Sequence, residues 1–503
     1  MSSILVVLIA LPFAVAVATI FLPVGISKIV TVISGVVTFA LALALVPTAA
    51  SRTQITFGSL LRVDALSVVF LVATAFLYWA TAVFAGGYLH LADSPAGARY
   101  GRRFYAGLNL FCWSMLATPL MNGLALLWVA IEITTVISAL LVAIDDTDGA
   151  TEASWKYVLI ASLGLGIALL ATIIMYYAGT TVFGSAYDLS YSKLLTGAGR
   201  FPPDVVRLAF VLAVLGFGTK MGLVPVHTWL PDAHSEAPTP VSALLSGSLL
   251  AVSFYAILRY FQIAVLTLGP TFPRNVLLIF GLASLLLAAL YLLSQRDLKR
   301  LLAYSSVEHM GILAIGMSFG APIAVVGVLL HVLAHAAAKG TAFFGAGSVI
   351  RKYATKDMTK IRGGIGALPW SGPMLVAAVL ALSAMPPFGI FRSEFLIVSG
   401  GLSDPRDTVA AVLVILVTLA FFGFSWFTTQ TMLTPDVTSV SADGTSVSAD
   451  GTVLVAPAKG EVSAWIVVAM ALGLMMLAIL GVHPPVQLGQ LLDHAASELG
   501  TPR

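Results

Sequence analysis

Cysteine and charge are the scarcest features of this 503-residue sequence. The single cysteine, Cys112, excludes an internal disulfide, a thiolate zinc site and an iron–sulfur cluster. Only 10% of the residues are charged, whereas soluble proteins carry about a quarter. The 26 basic and 23 acidic residues leave a net charge of +3, too dilute for a polyanion-binding surface. Soluble enzymes and nucleic-acid-binding proteins are therefore excluded, and any redox chemistry belongs to a partner.

Long apolar runs are abundant, and 59% of the residues are hydrophobic. The runs are continuous rather than alternating, which predicts membrane-spanning helices of about 20 residues rather than a barrel. Fourteen such runs cover 2–22, 28–48, 63–87, 104–120, 123–144, 155–178, 204–226, 238–262, 274–293, 301–319, 322–350, 369–401, 408–432 and 463–482. The sequence therefore predicts an all-α integral membrane protein with about 14 transmembrane helices.

The connecting segments indicate an orientation. The first run has no Lys or Arg before it and no small-residue cleavage site after it, so we expect a retained helix with its N-terminus on the non-cytoplasmic side of the plasma (inner) membrane. Inside loops then hold 13 Lys and Arg against 9 outside, in agreement with the positive-inside rule. Most of this bias comes from RKYATKDMTKIR at 351–362. A tandem SVSADGT repeat at 439–452 predicts a solvated connector.

Two ionisable residues in the first half of the chain lie within predicted spans. Such a residue costs roughly 2.5–3.5 kcal/mol unless it pairs or lines a wet path. Glu132 has apolar residues on both sides, so its partner has to come from another helix. Lys220 is followed by Pro225, which predicts a helix broken just beyond the lysine, and by His227, a candidate relay residue. Broken helices at membrane depth are typical of cavities in transporters, although the lysine could instead extend to the membrane interface.

A row of titratable residues occupies a later span. His331, His335 and Lys339 are spaced i, i+4 and i+8, which places them on one helix face over about 12 Å. This row resembles a proton relay, because histidine exchanges protons near neutral pH. No acidic residue separates the two histidines and a lysine would repel a divalent cation, so we predict no metal site.

A second interrupted helix is predicted at Pro386 and Pro387, with Glu394 just past the break and Arg392 as a candidate to neutralise it. Corresponding broken helices in two halves of a chain are typical of inverted-repeat transporters, although the halves cannot be aligned by identity. Three residues near span ends are interpreted either as relay members or as interfacial residues: Lys156, Glu308 and His309.

The string GFGTKMGLVPVHTWLPDAHSEAPTPVSALLSG, the string HVLAHAAAKGTAFFGAGSVI and Glu132 together resemble the antiporter-like membrane subunits of respiratory complex I, membrane-bound hydrogenases and multi-subunit Na⁺/H⁺ antiporters. The resemblance covers roughly residues 60–430, and EASWKYVLIASLGLGIALLAT and LKRLLAYSSVEHMGIL are most similar to hydrogenase-4 component F. It implies fourteen helices with two inverted five-helix repeats. The implied organisation is three N-terminal helices in 1–100, repeats in 101–265 and 266–434, a flexible loop at 435–462, and a last helix and tail in 463–503.

The resemblance also implies roles for the buried charges. Glu132 and Lys220 match a glutamate–lysine pair, the row His331, His335 and Lys339 matches the central relay helix, and Glu394 matches the terminal position on the second broken helix. Several relatives carry another lysine after the first break, but SGSLLAVSFYAILR has none. A proton path from Lys220 to the row of His331, His335 and Lys339 would then depend on water and on one of three serines: Ser246, Ser248 or Ser253.

The expected function is proton translocation driven by redox chemistry in partner subunits. We expect a Glu132–Lys220 ion pair that responds to a neighbouring subunit, with no catalytic redox centre, cofactor or metal in this chain. The expected partners are other membrane subunits, a soluble redox arm and the lipid bilayer, but no nucleic acid. The alternatives are a cation/proton antiporter subunit, a non-redox uptake module and a purely structural subunit. The last is disfavoured, because four idle buried charges would cost on the order of 12 kcal/mol.

Overall fold

The computed structural model describes residues 2–89, 94–403, 406–434, 446–447, 453–454 and 458–499, and these are almost entirely helical. The helices are α1 (Ser2–Phe21), α2 (Val24–Ala49), α3 (Ala65–Tyr88), α4 (Pro95–Ala117), α5 (Leu124–Val142), α6 (Asp148–Phe183), α7 (Tyr191–Gly197), α8 (Pro203–Met221), α9 (Trp229–Glu236), α10 (Thr239–Leu244), α11 (Leu250–Leu268), α12 (Thr271–Leu292), α13 (Leu298–Phe319), α14 (Pro322–Tyr353), α15 (Gly364–Ala367), α16 (Ser371–Leu382), α17 (Gly389–Leu402), α18 (Asp407–Phe427), α19 (Ala464–Val482) and α20 (Val486–Leu499). Two antiparallel pairs of short strands, β1 (Gln54–Thr56) with β2 (Leu61–Val63) and β3 (Ser446–Val447) with β4 (Val453–Leu454), complete the fold.

The predicted helical membrane protein is confirmed. Each of the fourteen apolar runs overlaps a helix, and ten helices within the described residues are long and apolar enough to cross a membrane. Helices α4, α8 and α13 are less apolar, and the run 369–401 is interrupted. The tandem repeat at 439–452 lies outside the described residues except for the two residues of β3.

Both predicted helix breaks are present. Helix α8 ends at Met221, and Gly222 adopts a left-handed conformation with φ of 85°, which a residue with a side chain rarely tolerates. The chain becomes helical again only at Trp229, because Pro225 lacks the backbone donor that would continue α8. A π-helical turn at 245–249 then joins α10 to α11. The second break separates α16 from α17.

Helix α14 lies at the centre of the molecule and packs against α3, α13, α16, α17 and α19. Its approach to α17 depends on Gly327, because a Cβ at this position would lie 2.8 Å from the Ser393 carbonyl oxygen. The close contact brings the histidine-bearing face of α14 against α17. The row of His331, His335 and Lys339 that was predicted from the sequence is therefore enclosed by protein on several sides.

A buried ion-pair cluster joins α3 to α11. Asp64 caps the N-terminus of α3 and accepts a hydrogen bond from the Ser67 amide at 2.9 Å. The Asp64 carboxylate also contacts Arg259 Nη2 at 2.7 Å and Arg62 Nε at 2.6 Å. Burial alone would raise the pKa of Asp64, but the two guanidinium groups hold it well below its usual range. Nearby, burial and the Asp64 charge raise the pKa of Glu498 on α20 to about 7.

Replacing Asp64 is expected to destabilise the protein strongly. Asp64→Ala removes the α3 cap and leaves the buried Arg259 without its counter-charge, which costs about 3–5 kcal/mol. The measurement is thermal unfolding of the detergent-solubilised chain. Asp204→Ala is the matched control, because Asp204 pairs with Arg207 at 2.5 Å on an exposed surface and its loss costs about 0–1 kcal/mol. Equal melting temperatures for the two variants would contradict the assignment.

Candidate functional site

Lys220 is fully buried at the end of α8, at the first helix break. Its Nζ donates a hydrogen bond to Thr135 Oγ1 at 2.9 Å and another to the Tyr157 hydroxyl. The ammonium also lies 4.5 Å from the centre of the Tyr157 ring and 6.0 Å from that of Trp229. The alternative that Lys220 extends to the membrane interface is therefore wrong, because neighbouring helices hold its charge inside the protein.

Glu132 lies near Lys220 without touching it. The two side chains interact electrostatically, yet no ion pair joins them, and the polar contacts of Lys220 are Thr135 and Tyr157 instead. Glu132 is half-buried on α5, and Ser162 Oγ lies 3.5 Å from its Oε1. Its Oε2 has no hydrogen-bond partner. The expected ion pair is not formed in this structure: Lys220 is held instead in a hydroxyl cage formed by Thr135 and Tyr157.

The two further candidates of the first half differ in their surroundings. His227 follows the break of α8; its side chain is largely buried and its Nδ1 has no hydrogen-bond partner. Lys156 on α6 is 48% exposed and forms ion pairs with Glu152 at 2.7 Å and with Asp232 at 3.2 Å. This geometry favours the interfacial interpretation of Lys156 over a relay role.

Lys339 is fully buried on α14 and is bound by α13. Its Nζ donates to the Leu302 carbonyl oxygen at 2.9 Å and to Ser305 Oγ at 2.6 Å. Glu308, on the next part of α13, is buried and interacts electrostatically with Lys339. Glu308 Oε2 has no hydrogen-bond partner. A buried acid and a buried base therefore face each other across α13 and α14 without a direct ion pair.

Three histidines form a cluster beyond Lys339. His309 Nδ1 on α13 lies 3.1 Å from His331 Nε2 on α14, and the rings of His309 and His335 are 5.2 Å apart. His331 and His335 are stacked along α14, with ring centres 6.2 Å apart. His331 Nδ1 lies 2.9 Å from Ser393 Oγ on α17. His309, which the sequence placed either in the relay or at an interface, occupies the middle of this buried cluster.

Glu394 on α17 joins the histidine cluster. Its Oε1 lies 4.0 Å from His309 Nδ1, and only 10% of its side chain is exposed. Arg392 does not neutralise it, which corrects the sequence-based expectation. The Arg392 guanidinium is exposed and donates to the Gly481 and Val482 carbonyl oxygens at 3.3 and 3.4 Å. Two residues along a helix lie about 200° apart, so the two side chains leave α17 on different faces.

His234 is a candidate that the sequence analysis missed. It is fully buried on α9, where its ring lies 6.1 Å from that of Trp229 and 6.0 Å from that of Phe343 on α14. Its Nδ1 is 2.7 Å from the Leu230 carbonyl oxygen, and its Nε2 has no partner. His234 also interacts electrostatically with Lys339. The available signal was a second histidine within the same proline-rich segment that carries His227.

One of the three bridging serines connects the two halves. Ser246 Oγ lies 2.7 Å from Ser306 Oγ on α13, next to the Ser305 that binds Lys339. Ser248 instead bonds Thr74 at 2.8 Å, and Ser253 bonds the Leu249 carbonyl oxygen at 3.1 Å. Ser246 and Ser248 both lie in the π-helical turn, an irregularity that is common at functional sites.

Sequence comparison identifies the family. Residues 121–423 match the family described as NADH:quinone oxidoreductase/Mrp antiporter, TM. The chain belongs to this family. The matched segment contains the half-buried Glu132 and every buried titratable side chain of the site, from Lys220 to Glu394. The resemblance stated from the motifs is therefore confirmed, and the chain is a multi-pass membrane protein.

Relatives and solved structures agree with this assignment. The hydrogenase-4 component F homolog of Methylacidiphilum infernorum (isolate V4) is 37% identical over 373 residues, which is 72% of this chain and 76% of that protein. A chain of the Mrp complex from Dietzia sp. DQ12-45-1b superposes with a TM-score of 0.83 at 20% identity, covering 100% of this chain and 98% of that one. A chain of respiratory complex I from Thermus thermophilus with bound NADH gives a TM-score of 0.79 at 22% identity, covering 98% and 99%. The two solved chains share the fold of this chain.

Proposed function

We propose that this chain is the proton-translocating membrane subunit of a redox-driven complex related to complex I and membrane-bound hydrogenases. The observation that carries the proposal is a series of buried titratable side chains between the two broken helices. The series is Lys220, His234, Lys339, Glu308, His309, His331, His335 and Glu394. Such groups are costly in a membrane protein and mark ion pathways.

The path begins at Lys220 and leads to Lys339. The aromatic rings of Tyr157 and Trp229 border the ammonium, and the His234 ring lies beside Trp229. His234 Nε2 is free to exchange a proton through water, and it interacts with Lys339. The Ser246–Ser306 hydrogen bond offers a second connection, from the π-helical turn to α13. Along these groups a proton would pass from α8 to α14 without the additional lysine that several relatives carry.

The second half of the path leads from Lys339 to Glu394. Glu308 faces Lys339 and also interacts with Glu394. The three histidines lie alongside, with direct contact between His309 and His331. Glu394 would then exchange the proton with one side of the membrane. The broken α16–α17 helix provides the loosened backbone that such an exit needs.

We assign to Glu132 the role of coupling proton movement in this chain to a partner subunit. The α5 face that bears it also carries Val136 and Leu140, which are 56% and 70% exposed. A neighbouring membrane subunit packed on this face would contact Glu132 and change its attraction for Lys220. Weaker attraction favours release of the Lys220 proton toward His234. We place the redox chemistry in a soluble arm, and the chain in the inner membrane with its N-terminus outside the cytoplasm.

The direct test is to purify the native complex, identify its subunits and reconstitute it in proteoliposomes. We expect redox subunits to co-purify and electron transfer to drive proton movement with a constant ratio of protons to electrons, independent of Na⁺. The full-length superposition on a chain of an Mrp complex favours a cation/proton antiporter subunit as the second candidate. Proton movement driven by a Na⁺ gradient, in a complex without redox subunits, would establish that alternative.

His234→Gln tests the missed relay position. Glutamine has a similar size but carries no exchangeable charge, so proton translocation per electron is expected to fall at least about tenfold. His494→Gln is the control, because His494 lies at the surface beside Glu498 at 3.7 Å. An unchanged ratio of protons to electrons in His234→Gln would place the path elsewhere, through Ser246.

A further inference from the structure

The histidine cluster brings three potential metal ligands together. One ligand atom each from His309, His331 and Glu394 lies within 4.8 Å of the other two. The donors come from α13, α14 and α17, and all three residues are buried. Two polar atoms here, Glu394 Oε1 and His309 Nε2, have no hydrogen-bond partner. From the sequence, only the pair His331 and His335 on one helix was considered as a metal site. The arrangement of His309, His331 and Glu394 was therefore not predicted.

We propose that His309, His331 and Glu394 form a binding site for a single Zn²⁺ ion. Two nitrogen ligands at 2.0–2.1 Å from a tetrahedral ion lie about 3.3 Å apart. His309 Nδ1 and His331 Nε2 are 3.1 Å apart, and Glu394 Oε1 is 4.0 Å from His309 Nδ1. An ion therefore fits between them after shifts of less than about 1 Å. Two histidines and one carboxylate form a known three-ligand zinc set whose fourth position holds water.

The surrounding contacts orient the ligands. A zinc-binding histidine normally donates its second ring nitrogen to a neighbouring acceptor, which fixes the tautomer. His331 Nδ1 lies 2.9 Å from Ser393 Oγ, so its Nε2 can carry the lone pair that faces His309. The hydroxyl in turn donates to the Ile390 carbonyl oxygen at 2.7 Å. The orientation of the His331 ring is thus set before any ion enters.

The charges around the cluster permit a divalent cation. Lys339 was the objection from sequence, but its ammonium is directed to Leu302 and Ser305, about 6–10 Å back along α13 from His309. Lys339 still interacts electrostatically with His309 and His331, but the carboxyl of Glu308 lies close enough to interact with both Lys339 and Glu394. The other titratable group that faces the ligands is the His335 ring. The mixed nitrogen and oxygen donors favour Zn²⁺ over Mg²⁺ or Ca²⁺, which prefer oxygen ligands alone.

Occupation would remove His309, His331 and Glu394 from proton exchange. This effect on transport rests on the proposed function, whereas binding of the ion does not. The two can be separated, because a chain that binds Zn²⁺ at these residues but pumps normally when loaded would retain the site and contradict the proton path.

The test measures zinc binding by the full-length chain, purified in detergent with a tag that contains no histidine and treated with a chelator. Zn²⁺ titration by calorimetry is expected to show one site per chain. X-ray absorption at the zinc edge should report two imidazole ligands with nitrogen and oxygen at about 2.0–2.1 Å. His309→Gln, His331→Gln and Glu394→Gln should each weaken binding by at least about 100-fold.

His494→Gln is the control for surface binding, because His494 and Glu498 form an i, i+4 pair on α20 that could hold zinc weakly. Its affinity should equal that of the unmodified chain. Unchanged zinc affinity in the three cluster variants, or loss of binding in His494→Gln alone, would overturn the proposal. So would a spectrum of loaded protein without imidazole ligands. Circular dichroism and thermal unfolding of each variant establish that it remains folded.

Discussion

Lys220→Ala is expected to abolish proton translocation while electron transfer continues. The alanine removes the buried ammonium that contacts Thr135, Tyr157 and Trp229 at the first helix break. Folding should survive, because Tyr157 keeps its 2.7 Å hydrogen bond to Ser138 and a costly buried charge is lost. The measurement is proton movement per electron in proteoliposomes that contain the intact complex, where we expect a fall to the leak rate.

Lys156→Ala is the matched control for this variant. Lys156 lies in exposed ion pairs with Glu152 and Asp232, so its removal should change stability by about 0–1 kcal/mol and leave the proton ratio unchanged. Pumping at the unmodified ratio in Lys220→Ala would refute the path proposed here. A loss in Lys156→Ala equal to that in Lys220→Ala would place the entry on the surface of α6 instead.

Glu394→Gln is expected to stop translocation at the other end of the path. Glutamine matches the shape of the glutamate side chain, which is 10% exposed, and can occupy the same position. It cannot, however, release a proton. We expect an assembled complex in which proton movement per electron falls at least about 100-fold, the lower end of the range for losing a proton-transfer group. Glu394→Asp should restore part of the activity, because it retains an acid on a shorter side chain.

Arg392→Gln is the control on the same helix. Its guanidinium contacts the Gly481 and Val482 carbonyl oxygens rather than Glu394, so translocation should be unaffected. Full pumping by Glu394→Gln would remove this residue from the path. Equal losses in Arg392→Gln and Glu394→Gln would show that the packing of α17 on α19, and not the acid, is what transport requires.

Much of the fold could be predicted from residue types and spacing. Lipid offers no hydrogen bonds to the backbone, so continuous apolar runs have to be helices, and each run overlaps one. Proline lacks an amide hydrogen, so Pro225, Pro386 and Pro387 located both breaks. The 3.6-residue period placed His331, His335 and Lys339 on one face. These are local rules, and they require no knowledge of which helices pack together.

The contacts between helices could not be predicted in this way. Glu132 was assigned to Lys220 by resemblance, yet Thr135, one turn later on the same helix, receives the hydrogen bond. Arg392 was assigned to Glu394 by proximity in sequence, but side chains two residues apart leave a helix on different faces. His234 and His309 gained their importance only when α9 was placed beside α13, and α13 beside α14.

The amino-acid sequence by itself determined that this protein crosses a membrane, where its helices break and which few residues carry charge into the interior. Each of these follows from composition, hydrogen-bond capacity or helical period, which act within about 20 residues of chain. The tertiary structure alone decided which charges meet: the hydroxyl cage of Lys220, and the convergence of His309, His331 and Glu394 from three helices. Side-chain packing between distant segments determines such contacts, and no local pattern encodes it.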